Sequence, residues 1–333
     1  EFYAFIGYQT VWIQQKDTTK LSRLLSLLSI AANWGLREQD YQYRFISAYK
    51  NGTSVPKSQE DSLRAEIFFT DAAIHFLRDV AYGNTVPALN YSGIKYVPDC
   101  ANVPTILWDF VSGNHSGLWA SFDPIKIPEI RIIENKINWI LEVMSQNDYE
   151  EIHIRSKKIQ AENKPLWQKL HQLGILDSAN IDFSENGMKQ KIKEAQRIFN
   201  LSENGELNQE IIRELNVPLR VRLQQLNFSI NYYRWLSCFA QNQAVIVVNI
   251  PAAYLKVYHG NQVILEMRMV VGKPSTPTFT LASVVNEVIL YPYWHVPLSI
   301  ATKELLPAIK RNPGYLDANN YQVLNKEGKV VNP

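Results

Sequence analysis

The strongest constraint on the fold is a change of hydrophobic period at Ala244. Upstream, apolar residues recur every three or four positions, as in Leu21-Leu24-Leu25-Leu28, Phe69-Ala72-Phe76-Val80 and Ile130-Ile133-Ile137-Ile140-Leu141. That is the spacing of a helix with one buried stripe. Downstream, Ala244 to Ile250 is a continuous, largely β-branched run and Tyr254 to Tyr258 alternates, which is the writing of strands. A stripe at helical period would scatter over both faces of a strand, so the two stretches cannot share one kind of secondary structure. The expected class is α+β and multidomain, because 333 residues exceed the usual size of one domain. Three parts are expected: a helical scaffold domain over 1–160, a small helical module over 161–240 and a β-rich part over 241–333.

In the first part, Asn51-Gly52 and the loop around Pro87, Pro98 and Pro104 separate helices, and Pro124 and Pro128 precede another. In the second, a helix over Lys189 to Phe199 leads through Glu203-Asn204-Gly205-Glu206 to a short helix ending at Leu215. Asn216 reads as an N-cap and Pro218 as sitting just inside the next helix, whose Leu219, Leu223, Leu226, Ile230 and Tyr233 share a face. In the third, His259-Gly260-Asn261 turns a hairpin whose return strand is Val263 to Val271. A further strand is expected over Val284 to Leu290, then an amphipathic helix over Ser299 to Lys310 closed by Asn312-Pro313-Gly314. Val330-Val331-Asn332-Pro333 is expected inside or beside one more strand. Three or four strands with no partner for the last leave an open edge of N–H and C=O groups, so the native protein is expected to continue past Pro333.

Composition excludes several function classes. With 34 basic against 32 acidic residues there is no basic stripe to hold nucleic acid. The run Leu21 to Ala32 is interrupted by Ser22, Arg23, Ser26 and Ser29, too short and too polar to span a bilayer. Membrane attachment is expected only through an anchor ahead of Glu1, where the missing initiator Met suggests a processed or trimmed start. The six histidines, His75, His115, His153, His171, His259 and His295, form no ligand pair, so neither a metal nor an organic cofactor is expected. Cys100 and Cys238 either pair in an oxidising compartment or stay as buried thiols; the common burial of free cysteine favours thiols.

The β-rich part carries the most distinctive writing. Val248-Asn249-Ile250-Pro251-Ala252 with Tyr254-Leu255 is followed by Arg268 to Val271, Gly272-Lys273-Pro274 and Thr276-Pro277-Thr278-Phe279. Then come Leu290-Tyr291-Pro292-Tyr293-Trp294-His295-Val296-Pro297, Ser299-Ile300-Ala301, Glu304-Leu305-Leu306-Pro307 and Asn312-Pro313-Gly314-Tyr315-Leu316. These segments resemble the YcbB-type L,D-transpeptidases, whose catalytic unit is the YkuD domain. Ala195-Gln196, Phe199, Leu201, Gly205 and Leu215-Asn216 are similar to the peptidoglycan-binding module that precedes it in that group. Gly35-Leu36, Asp40-Tyr41, Thr70-Asp71-Ala72 and Asp79-Val80-Ala81-Tyr82-Gly83 look like the group's helical scaffold.

The resemblance implies an exported cell-envelope enzyme of wall biogenesis and cell shape that forms 3-3 crosslinks between peptidoglycan stem peptides by cysteine acyl transfer, and is inhibited by carbapenems. Such chemistry needs a thiolate, a base and N–H donors for the oxyanion. The family's His and S-H-G-C motif are absent; they are expected beyond Pro333, so this chain alone is expected to be inactive. A catalytically inactive wall-binding scaffold is the rival expectation, and an enzyme using Cys238 a weaker one. Substrate-binding candidates are Arg268, Gly272, Thr276, Pro277, Tyr293 and Trp294; those of the module are Gln196, Phe199, Gly205 and Asn216. Arg268 either forks onto a stem carboxylate or pairs with a neighbouring acid. Gly272 is expected to serve backbone geometry, Thr276-Pro277 to shape a loop, and Tyr293 and Trp294 either to wall the donor cleft or to pack beneath the active-site lobe expected beyond Pro333. His295 is expected to be structural or at a substrate rim rather than catalytic.

Overall fold

The structure is a computed structural model that describes residues 1–13, 18–85, 90–91 (backbone), 100–113, 127–155, 159, 163–176, 182, 184–241, 243–260 and 262–331. Pro87, Pro98, His115, Pro124, Asn261, Asn332 and Pro333 lie outside the described residues. The chain divides into two compact units, Glu1–Ala282 and Ser283–Pro333.

The first unit opens with α1 (Phe2–Phe5), α2 (Thr19–Ser29), α3 (Tyr43–Lys50), α4 (Gln59–Tyr82) and, after the short β1 (Asn90–Tyr91), α5 (Val103–Ser112). The helical stripes meet as expected: Leu21, Leu24, Leu25 and Leu28 of α2 and Phe69, Ala72, Phe76 and Val80 of α4 are buried in one core. Ser58 starts α4 by accepting the Asp61 amide, with Glu60 and Asp61 in the positive first turn. Buried Glu66 gathers the amides of Val11, Trp12 and Ile13 at 2.6, 2.9 and 3.1 Å. It thereby fixes a non-helical segment whose donors would otherwise be unpaired in the core.

Next come α6 (Pro128–Ser145), α7 (Lys164–Gln172), α8 (Glu185–Ile198), α9 (Gln209–Leu215) and α10 (Leu219–Ala240). One face of α6 serves two cores. Ile130 and Ile137 pack with α10 and the sheet, whereas Ile140 and Val143 pack with α7, α8 and α9. The helix α8 begins four residues earlier than its apolar period suggests, because Ser184 caps it by accepting the Gly187 amide at 3.1 Å. Asn216 does not cap α10. It ends α9 and exchanges two hydrogen bonds with the Ile154 backbone, at 2.7 and 3.0 Å, while Pro218 stands just ahead of α10 rather than inside it. An amide side chain can donate and accept at once, so it mimics a strand partner as readily as a cap.

The cysteines are paired: a Cys100–Cys238 disulfide joins the segment ahead of α5 to α10. The expectation of separate thiols fails because burial frequency carries no information on which sulfur lies opposite which.

The strands β2 (Val245–Asn249), β3 (Tyr254–His259) and β4 (Gln262–Arg268) form an antiparallel sheet in the order β2-β3-β4. A bulge at Val257/Tyr258 shifts the β3–β4 register. Val245, Val247, Tyr258 and Val263 pack toward α6 and α10. Glu129 of α6 accepts from Lys256 at 3.0 Å and from the Tyr258 hydroxyl at 2.8 Å, pinning the sheet to that helix. β5 (Leu281–Ala282) pairs in parallel with β1.

In the second unit the strand expected over Val284 to Leu290 is not formed. Val288 and Leu290 are 76% and 79% exposed, and an apolar run without a ladder partner has nothing to satisfy its backbone groups as a strand. The helix expected over Ser299 to Lys310 is present as α11 (Leu298–Ile300), a π-helical stretch (Ala301–Leu305) and α12 (Leu306–Arg311). Pro307, which lacks an amide to bond back, follows the widened turn. After α13 (Tyr315–Ala318), Leu324 and Val330 form a single antiparallel bridge.

Candidate functional site

β4 ends on Arg268, directly across the ladder from Tyr254. The Arg268 Nε donates to the Tyr254 hydroxyl at 3.4 Å, and the guanidinium lies 6.0 Å from the ring centroid, at the limit of a cation–π contact. Arg268 forms no ion pair among the described residues. Immediately beyond, the chain folds into a tight exposed loop: Thr276 N donates to Lys273 O at 2.9 Å and Gly272 N to Thr278 Oγ1 at 2.8 Å. A Cβ on Gly272 would lie 2.2 Å from the Thr276 carbonyl oxygen and 2.7 Å from the Thr278 nitrogen. Glycine is therefore required by the close approach of the backbone at Thr276–Thr278, and not by a left-handed φ.

Arg268 and Tyr254 also line a groove of about 490 Å³ with Arg197, Asn200, Leu201, Ser202 and Glu203. Its helical wall is the end of α8, where Asn200 adopts φ 54°. The Leu201 amide reaches back to Gln196 O at 2.8 Å and the Asn200 amide to Arg197 O at 3.1 Å, the double closure of a Schellman turn. Both Nε and Nη2 of Arg197 donate to one Glu203 oxygen, at 3.1 and 2.7 Å. That contact holds the Glu203 carboxyl below its ordinary range, with Arg268 adding to the effect from the opposite strand. Neither Arg197 nor Glu203 stood out in the sequence, since an i,i+6 pair across a helix end follows no helical spacing.

Three of the four candidates of the helical module are engaged within the module itself, and Asn216 ties it to the preceding segment. Gln196, fully buried, donates to Asn204 Oδ1 at 2.7 Å and Glu206 O at 2.9 Å and accepts the Gly205 amide at 2.9 Å. Gly205 turns at φ 76° over Lys189 and Lys193 of α8. Phe199 lies 4.6 Å beneath the Arg222 guanidinium, and Asn216 holds Ile154. In the second unit, Tyr293 and Trp294 are 83% and 61% exposed.

Other charged clusters are interior. Lys169, fully buried, bonds Glu151, which also accepts from the Tyr149 hydroxyl at 2.7 Å and the Leu219 amide at 3.1 Å. Burial pushes the Arg234 pKa down to about 10, opposed chiefly by the Glu134 carboxylate and also by Asp79. Asp79 is raised by burial despite accepting from the Tyr41 hydroxyl at 2.8 Å. Among the described residues no group of three or more His, Cys, Asp or Glu could hold a metal ion, and no helix is long and apolar enough to cross a membrane.

Residues 1–124 match the family model described as a scaffold domain, and residues 243–332 match that of the YkuD L,D-transpeptidase catalytic domain. A Haemophilus influenzae protein named "Putative L,D-transpeptidase" is 38% identical over 88 residues, a stretch that covers 26% of this chain and only 18% of that relative. The catalytic-domain match begins where the helical period ends, and it contains the Arg268 strand and the Gly272 loop. On these grounds residues 243–332 are similar to an L,D-transpeptidase catalytic domain and residues 1–124 to a scaffold domain, which supports an L,D-transpeptidase assignment.

Proposed function

We propose that the complete protein is an L,D-transpeptidase of the cell envelope that forms 3-3 crosslinks in peptidoglycan. The observation that carries this reading is the match of residues 243–332 to the catalytic domain, with Arg268 and the Gly272 loop inside it. In the first half-reaction a cysteine thiolate attacks the amide carbonyl at the L-centre of the third stem residue. D-Ala leaves as the amine, taking up a proton, and a thioester remains. In the second, the side-chain amine of another stem attacks that thioester, a proton is lost, and the thiolate is released. Neither sulfur of this chain is free for the task, because Cys100 and Cys238 are bonded to each other, which weighs against the reading that uses Cys238. The nucleophile and its His are taken to be the family's S-H-G-C segment beyond Pro333, so the 333-residue chain alone turns over no substrate.

The three-part division at 160 and 240 is retained, with the 161–240 module aiding wall binding. Arg268, Thr276 and Pro277 are taken as substrate-facing, with Gly272 shaping their loop. Tyr293 and Trp294 are separate candidates for stacking on peptide through exposed rings. Incubating the full-length protein with disaccharide-tetrapeptide muropeptides tests the reading. Mass spectrometry should show loss of D-Ala together with dimer formation. Wall binding with no dimer would instead favour an inactive scaffold, the second reading, which the absence of a free thiol keeps open.

A further inference from the structure

We infer that the groove between the end of α8 and the β3–β4 ladder is a carboxylate-binding subsite built jointly by the helical module and the catalytic-domain segment, and that its ligand is a carboxylate of a wall stem peptide. The identification of the ligand rests on the transpeptidase reading; the carboxylate chemistry stands on the groove alone.

Two guanidinium groups face this groove against one carboxylate. Arg197 and Glu203 satisfy each other at 2.7 Å, which leaves Arg268 as the surplus charge. Arg268 is oriented rather than neutralised: its Nε is directed to the Tyr254 hydroxyl, so the two Nη groups remain for a planar, two-oxygen acceptor. The opposite wall is closed off as a competitor for the ligand, because the Schellman turn already uses the Asn200 and Leu201 amides and the carbonyls of Gln196 and Arg197. What it still presents is polar and neutral, in the Ser202 and Asn200 side chains, beside the apolar Leu201. About 490 Å³ lies within the ordinary range for small-molecule sites and accommodates a few residues of a peptide. Since β4 runs from Arg268 directly into the Gly272 loop, a peptide held here is anchored beside the catalytic-domain segment. The module then supplies half of a binding site as well as spacing.

The test is binding by calorimetry to the intact 333-residue chain, with two probes: a purified disaccharide-tetrapeptide muropeptide, and the same muropeptide after chemical amidation of its carboxyl groups. The free acid is expected to bind about ten-fold or more tightly than the amide, as a charge-assisted bond requires. R268Q should abolish that difference, R268K should retain part of it, and Y254F should weaken it by loosening the guanidinium. Melting curves of each variant establish that it is folded. Equal binding of acid and amide, or unchanged acid binding by folded R268Q, overturns the inference. If the acid binds selectively but the full-length protein makes no crosslink, the subsite stands and the transpeptidase reading falls. If crosslinks form and R268Q leaves muropeptide binding and KM unchanged, the subsite alone falls.

Discussion

A Cβ on Gly83 would lie 2.2 Å from the Asn231 carbonyl oxygen, and one on Gly272 would lie 2.2 Å from that of Thr276. The consequences differ with the setting. Gly83 has φ 76° and ends α4 against the middle of α10, so both partners are held by the core. G83A should cost about 3 kcal/mol or more, combining overpacking with backbone strain, measured by urea unfolding. The Gly272 loop is exposed and can open, so G272A should leave the unfolding midpoint almost unchanged while raising KM for muropeptide in the full-length protein. Glu151 makes a pH-dependent contribution. Burial raises its pKa, but the hydrogen bonds from Lys169 and Tyr149, the Lys169 charge and the Leu219 amide outweigh that and hold it below its ordinary value. A carboxyl with a lower pKa in the fold stabilises fully above its unfolded value and loses that effect as pH falls through the folded one. Stability should therefore decline below the ordinary carboxylate range, and E151Q should remove that part of the decline. At neutral pH E151Q should cost about 2–3 kcal/mol, less than the full penalty for orphaning a buried ammonium because Glu151 is 27% exposed.

Among the elements, those written in a long period were legible from sequence. The stripes of α2, α4 and α6 each have four or more apolar residues at helical spacing, and a wrong assignment would expose all of them. The β3–β4 hairpin was legible from the alternation of Tyr254 to Tyr258 and the turn after it, although its return strand ends at Arg268 and not at Val271. The Val284–Leu290 strand was not, because an apolar β-branched run announces a preference for extended backbone but says nothing about a partner strand. Asn216 reads as a cap in the sequence yet clamps Ile154 in the fold, because its amide serves cap and clamp equally. The groove residues Arg197 and Glu203 were invisible because their neighbourhood with Arg268 is made by tertiary packing, and Arg268 itself was singled out only through its motif. The Cys100–Cys238 bond ties two elements 138 residues apart. Its reduction, or C100S with C238S, should lower stability by about 2–4 kcal/mol through the freedom restored to the unfolded chain. Thermal unfolding with and without reductant measures this.

For the molecule as a whole, the α+β division and the likeness to an L,D-transpeptidase catalytic domain were written in the sequence at Ala244 and in the segments after it. The role of the helical module was not, since Gln196, Phe199 and Gly205 hold the module together, Asn216 ties it to Ile154, and the part of it that faces a ligand is the unremarkable stretch 197–203. Under the proposed function the wall-linking chemistry depends on a cysteine thiolate that neither Cys100 nor Cys238 is free to supply, while this chain contributes the frame that receives the peptide. Intact-mass spectrometry after exposure to a carbapenem locates that thiolate. The full-length protein should gain one drug mass per chain on the cysteine of its S-H-G-C segment, and the 333-residue chain should gain none. An adduct on the 333-residue chain, or none on the full-length protein, would contradict the proposed function.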